Sequence, residues 1–324
     1  MTAQSIRAPT RGFWVGCPCG VGACSTGESA DRQQEGQQLM DHEKYTGTAG
    51  YIGLGNMGGG IATRLARTGV KLVVFDIDPN AVDKLVAETA SAASSVGELA
   101  TASDTIIVCV DPEHIVKQVV QELVEHLRPG KSVVIQSSVS PTSLFEVARL
   151  VEGTGATLYD APVSGSVEDR VNGTLSVLVG ASPDTVGSDK PLLERIGRPL
   201  YLGTLGGGEV AKLCNNAIMT TTRTVASEMM KFAKAYGLTE EDVREAVAIS
   251  SGASWVLDNW DYFDQRISAG LTLRMSPKQV EEILAAANEK GVRLRMLESV
   301  LEHGLDIDKE RFRLLTGKDP DTVL

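Results

Sequence analysis

The chain has 324 residues, enough for two domains at roughly 100–200 residues each. Apolar residues make up 42% and charged residues 23%, the balance of an ordinary globular protein, and 42 acidic against 31 basic side chains leave a net charge of −11. This charge argues against nucleic acid or an anionic membrane surface as the main partner, no apolar run approaches the roughly 18 residues of a membrane span, and five cysteines are too few for a disulfide scaffold. A reducing, cytoplasmic setting is expected.

Residues 1–47 lack apolar periodicity and hold Cys17, Cys19 and Cys24. Their C-x-C-x4-C spacing fits no usual zinc pattern and no histidine precedes His42, so no metal is expected. The stretch is too rich in glycine for a secretory signal and lacks a convincing amphipathic period for a transit peptide. It reads as a disordered extension, with Met40 a candidate start.

From residue 48 short apolar runs alternate with helical patterns. Strands are expected at 49–53, 70–75, 105–110, 132–137, 157–163, 175–179 and 200–203. A helix at 61–68 ends at Gly69. Another at 113–127 aligns Ile115, Val116, Val119, Val120, Leu123, Val124 and Leu127 on one face, and Arg128-Pro129-Gly130 stops it. Ser140 and Pro141 supply an N-cap and a first-turn proline for the next. Such alternation implies an α/β fold with a parallel sheet covered by helices over residues 48–205. After about residue 206 the strand signal vanishes. Residues 209–236 contain neither glycine nor proline and read as one helix of roughly 40 Å. Thr239 caps a further helix. Ser276-Pro277-Lys278-Gln279 opens a third, which Gly291 ends. A helical domain is therefore expected over 206–316, followed by a tail at 317–324.

Gly53-Leu54-Gly55-Asn56-Met57-Gly58 lies between the first strand and the first helix. In that setting the first glycine permits a tight turn, the second lets backbone approach a pyrophosphate, and the third lets helix pack on strand. The helix N-terminus attracts the phosphates. Asp76 follows Gly58 by 18 residues, at the end of the second strand, where a carboxylate accepts bonds from a ribose 2′-hydroxyl. A 2′-phosphate there would be repelled, and Ile77 rather than an arginine comes next. The pattern predicts a Rossmann-type, doubly wound domain that binds NAD in preference to NADP.

Three further segments are candidates for chemistry. The stretch Asp160-Ala161-Pro162-Val163-Ser164-Gly165-Ser166 offers two hydroxyls and a flexible backbone to a carboxylate. Lys212 and Asn216 share a face of the long helix. By itself Lys212 reads as an exposed lysine with a snorkelling stem. Lys278, in a first helical turn, is likewise poorly placed for the helix dipole. Local rules broken without visible compensation mark candidate functional positions.

Taken in order, these segments resemble the β-hydroxyacid dehydrogenase family over about residues 49–305. The resemblance implies a nucleotide loop at Gly53–Gly58 and a nicotinamide-side segment at Ser137-Ser138-Val139-Ser140-Pro141. It implies a substrate loop ending at Ser164, Gly165 and Ser166, where Ser166 departs from the usual glycine. It implies Lys212 as general acid/base, Asn216 as substrate-binding residue, and Lys278 beside the cofactor, with Gln279 in place of an aspartate. The reaction implied is NAD-dependent, metal-free oxidation of a small 3-hydroxy acid to its 3-oxo acid, in a homodimer or homotetramer built through the helical domain. An imine reductase-like enzyme and a non-catalytic NAD(P)-binding sensor or scaffold are the rival readings. Relatives of both kinds typically lack the lysine. The bulky Glu168-Asp169-Arg170 after the substrate loop, and the aromatic group Trp255, Trp260, Tyr262 and Phe263, have no role assigned from sequence.

Overall fold

Short β-branched runs bounded by turn residues pair as parallel strands, and the amphipathic stretches between them carry the chain back across the sheet. The computed structural model describes residues 44–270 and 277–322, the side chains of 277–279, 282 and 322 excepted. The strands β1 (Thr48–Ile52), β2 (Lys71–Phe75), β3 (Ser91–Ala92), β4 (Thr105–Val108), β5 (Ser132–Ile135) and β6 (Thr157–Asp160) form one sheet in the order β3-β2-β1-β4-β5-β6. Every pairing is parallel. This is the doubly wound order, and the chain reverses its direction of travel between β1 and β4. In open sheets of this kind ligands bind at such a switch point, outside the carboxyl ends of the strands.

Successive strand residues face opposite ways, so the sheet serves two cores. Tyr51, Ile107, Val134 and Tyr159 join one, with Ile61 and Leu65 of the first helix. Ile52, Ile106, Val108, Val133 and Ile135 join the other, with Val116, Val120, Leu123 and Leu144. Burial on both faces explains why these strands read as unbroken apolar runs.

The expected strand at 157–163 is in fact two. β6 stops at Asp160, and Pro162 has no N–H for the ladder. Val163–Ser164 (β7) then pairs antiparallel with Leu175–Val179 (β8) in a second sheet, which Gly197–Tyr201 (β9) completes in parallel. The last strand thus lies earlier than the 200–203 expected. Its Gly-Arg-Pro start hid it, and Pro199 is tolerated because β9 is an edge. The first helix runs Asn56–Arg67, starting well before residue 61, because Gly58, Gly59 and Gly60 masked its period. Helices at Pro79–Val86 and Val96–Ala102, capped by Asp78 and Ser95, were too short to show.

Beyond β9 the described residues hold helices without strands. Gly207–Ala235 is the long helix, and Arg295–Thr316 packs along it. Met230, Val256, Trp260 and Phe263 form a small core. Arg223 lies 4.0 Å from the Trp260 ring centre and pairs with Asp264 at 3.1 Å, while Arg311 bridges Asp264 and Glu240. Trp260 and Phe263 are thus core residues, whereas Trp255 is exposed.

The limits expected for the terminal segments shift slightly. Tyr45, assigned to the extension, is buried, and its hydroxyl donates to Thr105 at 2.9 Å. The C-terminal tail includes a 3-10 turn at Pro320–Thr322, held by Lys309 against Asp321. Cys214 is exposed. Cys17, Cys19 and Cys24 lie outside the described residues. Among the described residues no helix is long and apolar enough to cross a membrane.

Gly58 packs so closely that an added Cβ would sit 2.1 Å from the Gly53 carbonyl oxygen, whereas one on Gly55 meets nothing within 4 Å. Gly58→Ala is expected to cost roughly 1–3 kcal/mol in urea denaturation. Gly55→Ala should stay within about 0.5 kcal/mol of wild type.

Candidate active site

The site is built around the end of β6. Asp160 is fully buried, and its carboxylate accepts the backbone N–H of Gly206 at 2.7 Å and of Glu209 at 2.8 Å. The long helix begins with Gly206 in the left-handed region, at φ 86°, with no side chain of its own to cap it. Asp160 therefore supplies the missing cap from another strand. Burial pushes its carboxyl up from the ordinary carboxylate range, and the amide bonds oppose that. Backbone comes close on every side. A Cβ on Gly180 would fall 1.8 Å from Asp160 Oδ1, and one on Gly208 would fall 2.1 Å from the Leu178 carbonyl.

One turn further on are Lys212 and Asn216, both half-buried. Burial lowers the pKa of the Lys212 ammonium, a shift that nearby Glu209 opposes only when it is ionised. Asn215 Nδ2 donates to Ser164 Oγ at 3.5 Å and to Asn216 Oδ1 at 3.3 Å. It links the helix to the loop. The sequence pointed to Asn216 and not to Asn215; the Asn-Asn pair itself was the available signal.

Ser164 ends β7, and Gly165 takes φ 151°, which its lack of a side chain permits. Ser166 is occupied locally. Its hydroxyl donates to Asp169 Oδ2 at 2.7 Å and accepts the Asp169 N–H at 3.1 Å, and its own N–H goes to the same carboxylate. This capping box opens the helix Val167–Asn172. The expectation of two free hydroxyls is corrected to one, on Ser164. Asp169 also accepts from Thr174 at 2.7 Å. Arg170 donates from Nη1 to the Asn56 carbonyl and, at 2.9 Å, to Asn56 Oδ1. The charged residues that had no role in the sequence thus fasten the Ser164 loop to the glycine loop.

In the glycine loop Gly53 has φ 94°, and a Cβ there would meet the Cys109 carbonyl at 2.1 Å. Leu54 N–H donates to Asp76 Oδ2 at 2.5 Å and Asp78 N–H to Asp76 Oδ1 at 2.8 Å, so Asp76 braces the loop it was expected only to flank. Each carboxylate oxygen keeps a further lone pair. Gly55 and Asn56 are exposed, Met57 is half-buried, and the first helical turn holds no acid. The open space over Gly55 and this uncapped, acid-free N-terminus fit a pyrophosphate.

Ser138 is exposed between buried Ser137 and Val139. Its loop is pinned on three sides. Ser137 Oγ accepts the Val110 N–H at 2.8 Å, Glu209 Oε2 accepts that of Val139 at 3.3 Å, and Glu113 accepts the N–H and hydroxyl of Ser140 at 3.2 and 2.9 Å. Lys278 belongs to the helix Pro277–Glu289, and its side chain lies outside those described. Among the described residues no group of three or more His, Cys, Asp or Glu side chains is placed to hold a metal.

The chain resembles known proteins over most of its length. Residues 48–231 match the NAD binding domain of 6-phosphogluconate dehydrogenase. Residues 206–307 match the NAD-binding region of NADP-dependent 3-hydroxyisobutyrate dehydrogenase. The NAD-dependent L-serine dehydrogenase of Pseudomonas aeruginosa is 35% identical over 212 residues, 64% of this chain and 71% of that protein. Among solved structures, the 3-hydroxyisobutyrate dehydrogenase of Mycobacterium tuberculosis with L-serine superposes with a TM-score of 0.71 at 24% identity, covering 79% of this chain and 91% of the other. An imine reductase of Bacillus cereus has a TM-score of 0.58 at 22% identity, covering 79% and 91%. These last two likenesses establish the fold alone.

Asp160→Asn leaves a single acceptor oxygen for the Gly206 and Glu209 amides. The unsatisfied buried group is expected to cost about 1–3 kcal/mol, read as a lower denaturant midpoint with an unchanged slope.

Proposed function

The chain belongs to the β-hydroxyacid dehydrogenase family, and from that premise we propose that it oxidises a small 3-hydroxy acid to the 3-oxo acid with NAD, using Lys212 as general base. The observation that carries the proposal is the placing of Lys212. It is half-buried, one turn into a helix whose start is locked by Asp160, on a face shared with Asn216 and tied through Asn215 to Ser164. The serine dehydrogenase relative supports a substrate of this size.

In this reading residues 48–205 bind the dinucleotide and residues 206–316 complete the substrate site. Gly53, Leu54, Gly55, Asn56, Met57 and Gly58 receive the pyrophosphate, Asp76 the adenosine ribose, and Ser138 and Lys278 flank the nicotinamide. The bound cofactor supplies the acceptor for the hydride. The Ser164 hydroxyl and the Gly165 backbone hold the substrate carboxylate, and Ser166 shapes that loop through its capping box. Asn216 orients the substrate hydroxyl toward Lys212 Nζ. The lysine, kept as the amine by burial, takes the hydroxyl proton as the carbonyl forms. In reduction the ammonium returns it. Apolar residues exposed along the long helix, among them Ile218, Val225 and Phe232, support a homodimer or homotetramer built there. The imine reductase likeness extends to the fold, and the presence of Lys212 favours the dehydrogenase.

Lys212→Ala is expected to lower kcat by at least the roughly 10²–10⁴-fold typical of general acid–base catalysis, with the dissociation constant for NAD little changed. Lys212→Arg should fail nearly as badly, because a guanidinium keeps its proton. In wild type, kcat for oxidation should rise with pH as the ammonium loses its proton, through an apparent pKa below the ordinary lysine value of about 10.4. Near-normal turnover by a folded Lys212→Ala enzyme would overturn the mechanism.

Cofactor choice gives an independent check. The Asp76 carboxylate should repel a 2′-phosphate, so kcat/KM should favour NAD. Asp76→Asn with Ile77→Arg should shift the ratio toward NADP, with some loss for both cofactors because Asp76 also holds the Leu54 and Asp78 amides.

A further inference from the structure

Glu209 is a buried titratable group that the reaction above leaves unused. It sits in the first turn of the long helix, three residues before Lys212, and is fully buried. Its Oε2 accepts the Val139 N–H at 3.3 Å. Its Oε1 is shut off from solvent and has no partner among the described residues. The charged groups acting on it are Asp160 at the end of β6, Glu113 at the start of the helix Glu113–Val124, and Lys212 on its own helix. Asp160 accepts backbone amides on both oxygens, the setting of an ionised carboxylate. Glu209 accepts one. Two buried carboxylates at one helix start do not both ionise readily, and the one with fewer amide donors keeps its proton.

We propose that Glu209 is a positioning residue, held as the uncharged acid, that sets the Val139 loop against the Lys212 turn and leaves Lys212 without a counter-ion. The inference rests on Lys212 being the proton acceptor. While Glu209 is neutral, burial acts on Lys212 unopposed and favours the amine. Burial and the neighbouring Asp160 charge push the Glu209 carboxyl up to about 9. Above that pH Glu209 becomes an anion three residues from Lys212. An anion there would stabilise the ammonium and raise the lysine pKa, so the amine would form only at higher pH. The neutral acid thus keeps the rise in hydroxy acid oxidation set by Lys212 at a lower pH than an ionised Glu209 would allow.

Two measurements test this. Infrared spectra of the cofactor-free protein at pH 7 should show the carbonyl stretch of a protonated carboxylic acid. The band should shift in deuterium oxide, be absent from Glu209→Gln, and fade in wild type as the pH passes about 9. Absence of such a band from wild type overturns the inference, and this arm needs only the wild-type protein. In the pH profile of kcat, Glu209→Gln, which is neutral at every pH, should keep the apparent pKa of the wild-type rise. A rise displaced to clearly lower pH in the variant, as removal of a carboxylate counter-ion would give, overturns the inference equally. The infrared band is read without substrate, so it fails or holds independently of the lysine mechanism, which the Lys212→Ala turnover decides.

Discussion

The bond between the Asp160 carboxylate and the first amides of the long helix is the constraint on which the site depends. Without it the helix would start from Gly206 with unsatisfied buried donors in its first turn. With it, the end of β6 determines where Lys212 and Asn216 project. The same strand end leads directly into β7 and the Ser164 loop. One side chain thus sets where both the Lys212 turn and the Ser164 loop lie. Glycine at 180 and 208 is part of this device, because a side chain at either would occupy the space of the Asp160 carboxylate or of the Leu178 carbonyl.

Around that anchor the loops are held by polar contacts as well as by apolar packing. Asp76 holds the glycine loop, Arg170 joins the substrate-loop helix to the same loop, and Glu113 and Glu209 hold the Ser138 loop from opposite sides. Contacts of this kind fix direction as well as proximity, which a proton acceptor needs. They also place several carboxyl groups out of water. The structure offsets that burial with backbone amides at Asp160, and in our proposal with a retained proton at Glu209.

The sequence revealed the order of elements and the glycine loop well, because both rest on local patterns. The β1–loop–helix unit is written in Gly53, Gly55 and Gly58, and the buried strands in unbroken apolar runs. It also singled out Lys212 and Asn216, whose spacing is a property of any helix. Features made by long-range contact stayed hidden. Nothing local shows that Asp160 caps a helix starting at Gly206, that Arg170 reaches Asn56, or that Glu209 meets Val139. The second sheet was missed for a related reason. Its strands begin at Val163, where the chain leaves the first sheet after a proline, and at Gly197, whose Gly-Arg-Pro start carries no strand signal. Ser166 read as a free hydroxyl because its capping partner, Asp169, looked like part of a surface charge run.

The central claim is that the braced lysine and the serine loop together select and oxidise a 3-hydroxy acid. The most direct test is the appearance of reduced cofactor when the protein is given NAD and a panel of short acids differing in hydroxyl position. The account predicts turnover of 3-hydroxy acids such as serine and 3-hydroxyisobutyrate and little or none of their 2-hydroxy counterparts. Reduction of cyclic imines with no oxidation of any 3-hydroxy acid would contradict it.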